Sequence, residues 1–225
     1  MSRRVRVVEV FNSVVEYYDS WYETPIGRYV VKAEVKALQH LLPPRGVGVD
    51  VGGGTGVFTR EIINDRWALC LDPAIQMLRR ASRRGVDVIC GVAEKPPLRE
   101  SSLDFAFMVT VLEFLEDPLE GLSGIKPLLK RGGVLVVMIV NRDSAWGKLY
   151  NELAERGEPV LSLAKLFTLR ELVSLLEEAG FKLVEVIGTL DNPPDVVPEE
   201  EPRLLSTGLD ECGVLFLKAV PSEWS

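Results

Sequence analysis

The sequence predicts an α/β fold in which most strands run parallel and the last runs antiparallel. Three observations carry this expectation. Short apolar runs alternate with amphipathic segments from residue 46 to residue 140, the pattern of βαβ units whose sheet is covered on both faces. A glycine-rich turn, Gly52-Gly53-Gly54-Thr55-Gly56, follows the first run directly, and glycine is what a backbone needs in order to turn sharply or approach a ligand. The last two apolar runs are joined by a connection of about 25 residues (188–212) with no helical pattern. Parallel neighbours need a crossover, usually a helix, so the final strand is expected to be antiparallel.

Each element follows in order. Residues 1–42 read as a helical cap. Tyr17, Tyr18, Trp21 and Tyr22 cluster ahead of a Pro25–Gly27 break, and the amphipathic stretch 28–42 stops at Pro43-Pro44. Strands are expected at 46–51, 67–71, 86–90, 103–109, 134–140, 181–187 and 213–220, with helices at 57–64, 73–84 and 118–129. Pro73 suits the first turn of its helix. A further helix starts at Thr168, where Glu171 completes a T-x-x-E capping box, and stops at Gly180. Loops as long as 188–212 are usually lids or binding elements, and a lid is expected here.

A chain of 225 residues, 47% of them hydrophobic, fits one domain spanning 1–225. The 26 basic and 33 acidic side chains give a net charge of −7, which argues against a nucleic-acid partner. The only histidine is His40, and the cysteines are Cys70, Cys90 and Cys212. No multi-histidine metal site can be built from this inventory, no C-x-x-C pair exists, and no metal is expected. A Ser-His-Asp or Cys-His mechanism would have to use His40, which reads as structural or surface. The cysteines read as buried free thiols in a reducing interior. The amino-terminal segment lacks the apolar core of a signal peptide, and the longest apolar run, 134–140, is far short of the roughly 20 residues of a membrane span. A cytoplasmic protein without a membrane span is expected. Homo-oligomerisation stays open.

The glycine turn narrows the ligand. A phosphate-binding loop needs G-x-x-x-x-G-K-[ST], which does not occur here. A dinucleotide fingerprint needs G-x-G-x-x-G, and every candidate start fails, which disfavours a nicotinamide-dependent oxidoreductase. What fits is an acid followed by alternate glycines: Asp50, Gly52, Gly54 and Gly56. Such an acid suits a cationic amine. Asp72, 22 residues further on, sits at the end of the second strand, where a carboxylate can accept both hydroxyls of a ribose. It could equally cap the next helix.

These residues resemble a known family, the class I S-adenosylmethionine-dependent methyltransferases, in the type 11 group that includes ubiquinone/menaquinone-biosynthesis enzymes. VDVGGGTG resembles the family's first motif, LDPAIQML its ribose-acid motif, and GVAEKPPLRESSLDFAFMVTVLEFLEDP its adenine and post-strand-4 motifs. LLKRGGVLVV, FTLRELVSLLEEAGF and YYDSWYETPIGRYV also match, so the resemblance runs from about residue 17 to the last strand. It implies a Rossmann-like seven-stranded sheet of order 3-2-1-4-5-7-6 with strand 7 antiparallel and helices on both faces.

The resemblance also implies S-adenosylmethionine as cofactor, with S-adenosylhomocysteine as product. It implies that Asp50 faces the methionine amino group and that Gly52, Gly53, Gly54 and Gly56 line the methionyl backbone. Asp72 would hold the ribose beside Pro73, with Met77, Ala93 and Glu94 around the adenine and Val109 and Thr110 beside the sulfonium. Two positions depart from the pattern. Val92 stands where many relatives carry aspartate, and Phe114 where many carry histidine.

Methyl transfer from a sulfonium needs alignment and exclusion of water more than acid–base chemistry, so scarcity of histidine does not exclude an enzyme. Candidate catalytic side chains at the mouth are Tyr18, Tyr22, Glu113 and Asp143; Asn141, Arg142 and Trp146 are also near. The expected acceptor is a small molecule. A methyltransferase acting on protein side chains and a non-catalytic S-adenosylmethionine-binding regulator are the alternatives. Asn192-Pro193-Pro194-Asp195 lies after strand 6 and ends in an acid, unlike the base-methylating motif it superficially matches. The arginines at 79, 80, 83 and 84 read as a solvated helix face.

Overall fold

The computed structural model describes residues 2–224. Among these, seven strands form one sheet: β1 (Gly46–Val51), β2 (Arg66–Asp72), β3 (Asp87–Cys90), β4 (Leu103–Val109), β5 (Leu129–Val140), β6 (Phe181–Thr189) and β7 (Val214–Pro221). Their order is β3-β2-β1-β4-β5-β7-β6. The first five pair in parallel, and β7 runs antiparallel to both β5 and β6. The helices are α1 (Arg3–Ser13), α2 (Val15–Tyr22), α3 (Pro25–Leu41), α4 (Val57–Ile62), α5 (Ile75–Arg83), α6 (Pro118–Ile125), α7 (Ala145–Glu155) and α8 (Leu169–Glu178). This is the Rossmann-like arrangement, with helices on both sides of the sheet.

The two-residue period of a strand sorts the core into two layers. On β4, Ala106 and Met108 face one side, while Phe105, Phe107 and Val109 face the other. On β5 the split is Leu135, Val137 and Ile139 against Val136, Met138 and Val140. The first layer packs against α6 and α8 through Leu122, Ile125, Leu172 and Leu176. The second packs against α3, α4 and α7 through Leu38, Leu41, Phe58 and Trp146. All of these strand residues are almost fully buried, so the central strands read as continuous apolar runs rather than alternating ones.

Several boundaries differ from the sequence reading, each for a local reason. The expected break at Pro25–Gly27 is instead the start of α3. Thr24 caps it by accepting from the Gly27 amide, and Pro25 occupies a first-turn position where it loses no hydrogen bond. Pro73 lies outside α5, whose N-cap is Ala74, because the preceding carboxylate draws the chain into a turn of its own. The helix expected at 118–129 ends at Ile125 and tightens into one 3₁₀ turn, since Pro127 has no amide to continue the α-helical ladder. The strand expected at 134–140 begins at Leu129. Leu103 pairs with Leu129 and Phe105 with Val134, so 130–133 bulge out of register.

Helix α7 is missing from the sequence reading altogether. Ser144 accepts from the Gly147 amide as its N-cap, and Trp146, Leu149, Tyr150 and Leu153 form the i, i+3, i+4, i+7 stripe that should have revealed it. Of the cysteines, Cys70 and Cys212 are buried as expected, but Cys90 is exposed because β3 is an edge strand. His40 is exposed, with Nε2 3.0 Å from Glu185 Oε1. The arginine face of α5 is not merely solvated: Arg80 and Arg84 reach the buried Asp19 of α2 at 2.5 and 2.9 Å. No helix among the described residues is long and apolar enough to cross a membrane.

Candidate active site

A cavity of about 320 Å³ opens at the carboxyl ends of β1, β2, β4 and β5, where open α/β sheets generally bind ligands. Its floor comes from the strand tips: Gly52 and Gly54, Asp72, the segment 91–94, Val109 and Thr110, and Met138 and Val140. Helices α1, α2, α3 and α7 close over it. One face of each helix contributes side chains because the lining positions recur every three or four residues, such as Arg4, Val7, Val8 and Phe11 on α1.

The glycine turn is stitched to β2. Gly52 and Gly53 both donate to the Leu71 carbonyl, at 2.7 and 3.3 Å. The Gly54 amide donates to Asp72 Oδ2 at 3.0 Å, and the Ala74 amide to Asp72 Oδ1 at 2.7 Å. Asp72 is therefore the pivot between the two strand tips, not a helix cap. It lines the cavity, and burial pushes its carboxyl up to about 6 against the opposing effect of those two amides. Each oxygen keeps a lone pair for a ligand hydroxyl.

The glycines divide into two kinds. At Gly53 a Cβ would stand 2.7 Å from the Asp50 carboxyl carbon and 2.7 Å from Cys70 Sγ, so this position is closed from below. At Gly54, with φ of +55°, a Cβ would meet nothing nearer than the Gly52 carbonyl at 4.0 Å, so that face is a vacant cradle in the cavity wall. Gly53 and Gly56 do not line the cavity; a Cβ at Gly56 would press on Ala81 of α5.

Asp50 lies beneath the glycine turn. Val49 and Val51 point toward the α6–α8 layer, so the intervening side chain points to α4. There its Oδ2 accepts from Thr59 Oγ1 at 2.6 Å. The carboxylate lies beside Gly53 under the turn and is not among the residues that line the cavity. Burial pushes it up to about 7, with Asp72 adding to the rise and Thr59 opposing it.

Met77, Pro73, Ala93, Glu94, Val109 and Thr110 all line the cavity. Thr110 adopts φ of +51°, a strained conformation for a β-branched residue that tends to occur at functional sites. Val92 lines the wall, offering no carboxylate. Phe114 packs edge-on against Phe11 of α1, ring centroids 5.1 Å apart, so the aromatic replacing the family's histidine helps hold the cap.

The catalytic candidates separate. Tyr18, Tyr22 and Glu113 line the cavity, whereas Asp143 sits in a separate depression beside Asn141, Thr168 and Asp210. The turn that lets Ser144 cap α7 carries residue 143 away from the site, which removes Asp143 as a candidate. Asn141 is also committed, its amide reaching the carbonyls of residues 209, 210 and 212. Tyr22 donates to the Tyr18 hydroxyl at 3.0 Å. Burial pushes Tyr18 up to about 12 and Tyr22 well above its ordinary value, so both phenols stay protonated near neutrality. Sequence reasoning missed Glu34 and Tyr150, which also line the cavity. The signal for Glu34 was its place on the apolar stripe of α3, four residues from Val30 and from Leu38.

The residues fit S-adenosylmethionine. The Gly54 cradle leaves room for close approach of the methionyl part. Asp72 is a buried acceptor for a ribose, and Met77 and the 91–94 segment give an apolar slot for a flat base.

The family model described as a methyltransferase domain matches residues 22–186. An uncharacterised protein of Methanocaldococcus jannaschii is 31% identical over 212 residues, covering 94% of this chain and 98% of that protein. An uncharacterised protein of Mycobacterium tuberculosis is 35% identical over 181 residues, 79% of this chain, which spans 61% of that longer relative. Among solved structures, a crystal structure from Thermotoga maritima, of an S-adenosylmethionine-dependent methyltransferase described as a possible histamine N-methyltransferase, is 32% identical. It superposes with a TM-score of 0.86 over 95% of this chain and 99% of its own. With the sheet order, the glycine turn and the Asp72 pivot already in place, the chain belongs to the S-adenosylmethionine-dependent methyltransferases, with S-adenosylmethionine as cofactor and S-adenosylhomocysteine as product.

Proposed function

We propose that the chain is a single-domain enzyme that transfers a methyl group to a small-molecule acceptor by in-line displacement. The observation that carries this reading is Asp72, a buried carboxylate at the β2 tip that braces the glycine turn and still faces the cavity. When bound, S-adenosylmethionine supplies an activated methyl group on a charged leaving group. The chain's own residues then bind, orient and exclude water.

Under this reading Asp72 and Pro73 hold the ribose. Met77, Ala93 and Glu94 flank the adenine, Gly52 and Gly54 accommodate the methionyl part, and Val109 and Thr110 border the reacting centre. Asp50, through Thr59, with Gly53 and Gly56, shapes the turn from beneath. Helices in 1–42 form the cap, and the cavity they enclose suits a small acceptor better than a folded protein surface. The 188–212 segment is a lid: Pro194 lines the cavity, Trp146 donates to the Asn192 carbonyl at 2.9 Å, and Lys32 and Lys36 of α3 hold Glu201 and the Pro202 carbonyl.

Isothermal titration with S-adenosylhomocysteine tests the cofactor reading, with Asp72→Ala expected to weaken binding at least tenfold. Unchanged affinity in that variant would refute the ribose assignment. Turnover of labelled S-adenosylmethionine with a metabolite pool separates an enzyme from a non-catalytic binder.

A further inference from the structure

The cavity also holds a pair of acids whose chemistry is uncompensated. Glu34 of α3 and Glu113, just past β4, are 5% and 1% exposed, and both line the cavity. Glu113 Oε1 accepts from the Val140 amide at 3.1 Å, while its Oε2 is buried with no hydrogen-bond partner among the described residues. The Glu34 side chain has neither a hydrogen bond nor an ion pair among the described residues. Arg4 is the one lysine, arginine or histidine among the lining residues described, and it is paired at 2.8 Å with Glu94 at the adenine end.

Leaving a carboxylate buried without a cation or enough donors is costly. A cationic ligand in this cavity would compensate two such groups. The walls around them are aromatic. Tyr18 and Tyr22 meet edge to face with centroids 5.3 Å apart, Tyr22 meets Trp21 at 5.2 Å, and Tyr150 and Trp146 of α7 line the same cavity. Aromatic faces near carboxylates attract an organic cation more than an anion or a neutral polar group. From this geometry we infer that Glu34 and Glu113 form the binding site of the methyl acceptor, and that the acceptor is a small organic amine that enters as its ammonium between the two carboxylates and the tyrosine–tryptophan wall, passes one N–H proton to a carboxylate, and uses the freed lone pair to form the N–CH3 bond as the S–CH3 bond breaks and S-adenosylhomocysteine leaves. The inference rests on the reading of this cavity as a methyl-transfer site. Burial, with Glu113 contributing, holds Glu34 up at about 8, and burial holds Glu113 at about 7. A bound ammonium opposes both effects.

The test is isothermal titration of three amines, 2-phenylethylamine, tryptamine and putrescine, against their matched alcohols, 2-phenylethanol, tryptophol and 1,4-butanediol. Each is titrated into the free chain and into the chain saturated with S-adenosylhomocysteine. At least one amine is expected to bind at least tenfold more tightly than its alcohol. Glu34→Gln and Glu113→Gln are each expected to weaken that amine at least tenfold while leaving S-adenosylhomocysteine affinity within twofold. Circular dichroism melts of both variants confirm that the fold persists. If no amine outperforms its alcohol, or if neither glutamine variant weakens the amine, the proposal is overturned. Failure of S-adenosylhomocysteine to bind would overturn the cofactor reading instead, and the free-chain titrations would still judge the carboxylate pair.

Discussion

At the scale of single residues, adjacent glycines do different work, and substitution separates them. Gly54→Ala places a methyl group in open cavity at positive φ, where an L-residue costs about 1–2 kcal/mol. It should lower S-adenosylhomocysteine affinity by more than tenfold in titration calorimetry while the protein stays folded. Gly53→Ala drives a methyl group into the Asp50 carboxyl and Cys70, and its loss should appear first as a lower melting temperature. The sequence pointed to this turn, because acid-and-glycine spacing is a local signal. It could not show which glycines face the cavity, since that depends on what lies beneath the turn. Asp50 illustrates the same limit. Its position on β1 was legible, but its direction follows from the two-residue alternation that sends Val49 and Val51 to the opposite layer.

At the scale of elements, α1 is held to the rest of the site by an unusual clamp. Arg3 donates to three main-chain carbonyls, Glu113 at 2.9 Å, Leu163 at 2.6 Å and Leu115 at 3.2 Å, while Asn12 Oδ1 accepts from the Gln76 amide at 2.8 Å. Hydrogen bonds from a charged donor contribute about 1.5–3 kcal/mol each. Arg3→Ala is therefore expected to free α1 selectively. Amide exchange should accelerate in 3–13 with little change in β4 or β5, and uniform acceleration across the sheet would contradict the clamp. Elements with strong local punctuation were legible: the capping box of α8 forms as read, with both reciprocal bonds present. Helix α7 was not, because Gly147 in its first turn and the preceding Asn141-Arg142-Asp143 resemble a loop. That glycine is needed where a Cβ would lie 2.2 Å from the Asn141 carbonyl.

For the whole molecule, the buried acids set the pH response. The carboxyls of Asp72, Asp50, Glu113 and Glu34 are raised by burial to about 6, 7, 7 and 8. In an unfolded chain they titrate near their ordinary values around 4. A raised acid favours the folded state when protonated, so this contribution is full below about pH 4 and is lost as pH rises through 6 to 8. The groups facing Glu34, namely Tyr18 and Tyr22 from α2, Glu113 and Tyr150 from α7, carry no positive charge to offset it. Asp19, Asp104 and Glu171 are lowered and act oppositely, but only in more acidic solution. Scanning calorimetry of the ligand-free chain should show the melting temperature falling between pH 5.5 and 8.5, with a shallower fall in Glu34→Gln. A flat or rising profile would count against these buried carboxyls. The direction of β7 was legible because the connection before it lacks a crossover helix, whereas the strand order followed from the family resemblance. Of the acid pair, Glu113 was legible as a candidate from its place after β4, while Glu34 was not, because a single glutamate on a helix reads as solvent-facing until the tertiary structure seals its face.

The Arg3 clamp has a consequence for synthesis. Its carbonyl partners lie 110, 112 and 160 residues further along the chain. A chain emerging from the ribosome makes the cap first and the seat for that cap last. Until residue 163 has emerged, α1 is a basic, half-apolar segment whose clamp is incomplete, so the roof of the cavity is fully fastened only after most of the sheet has been made.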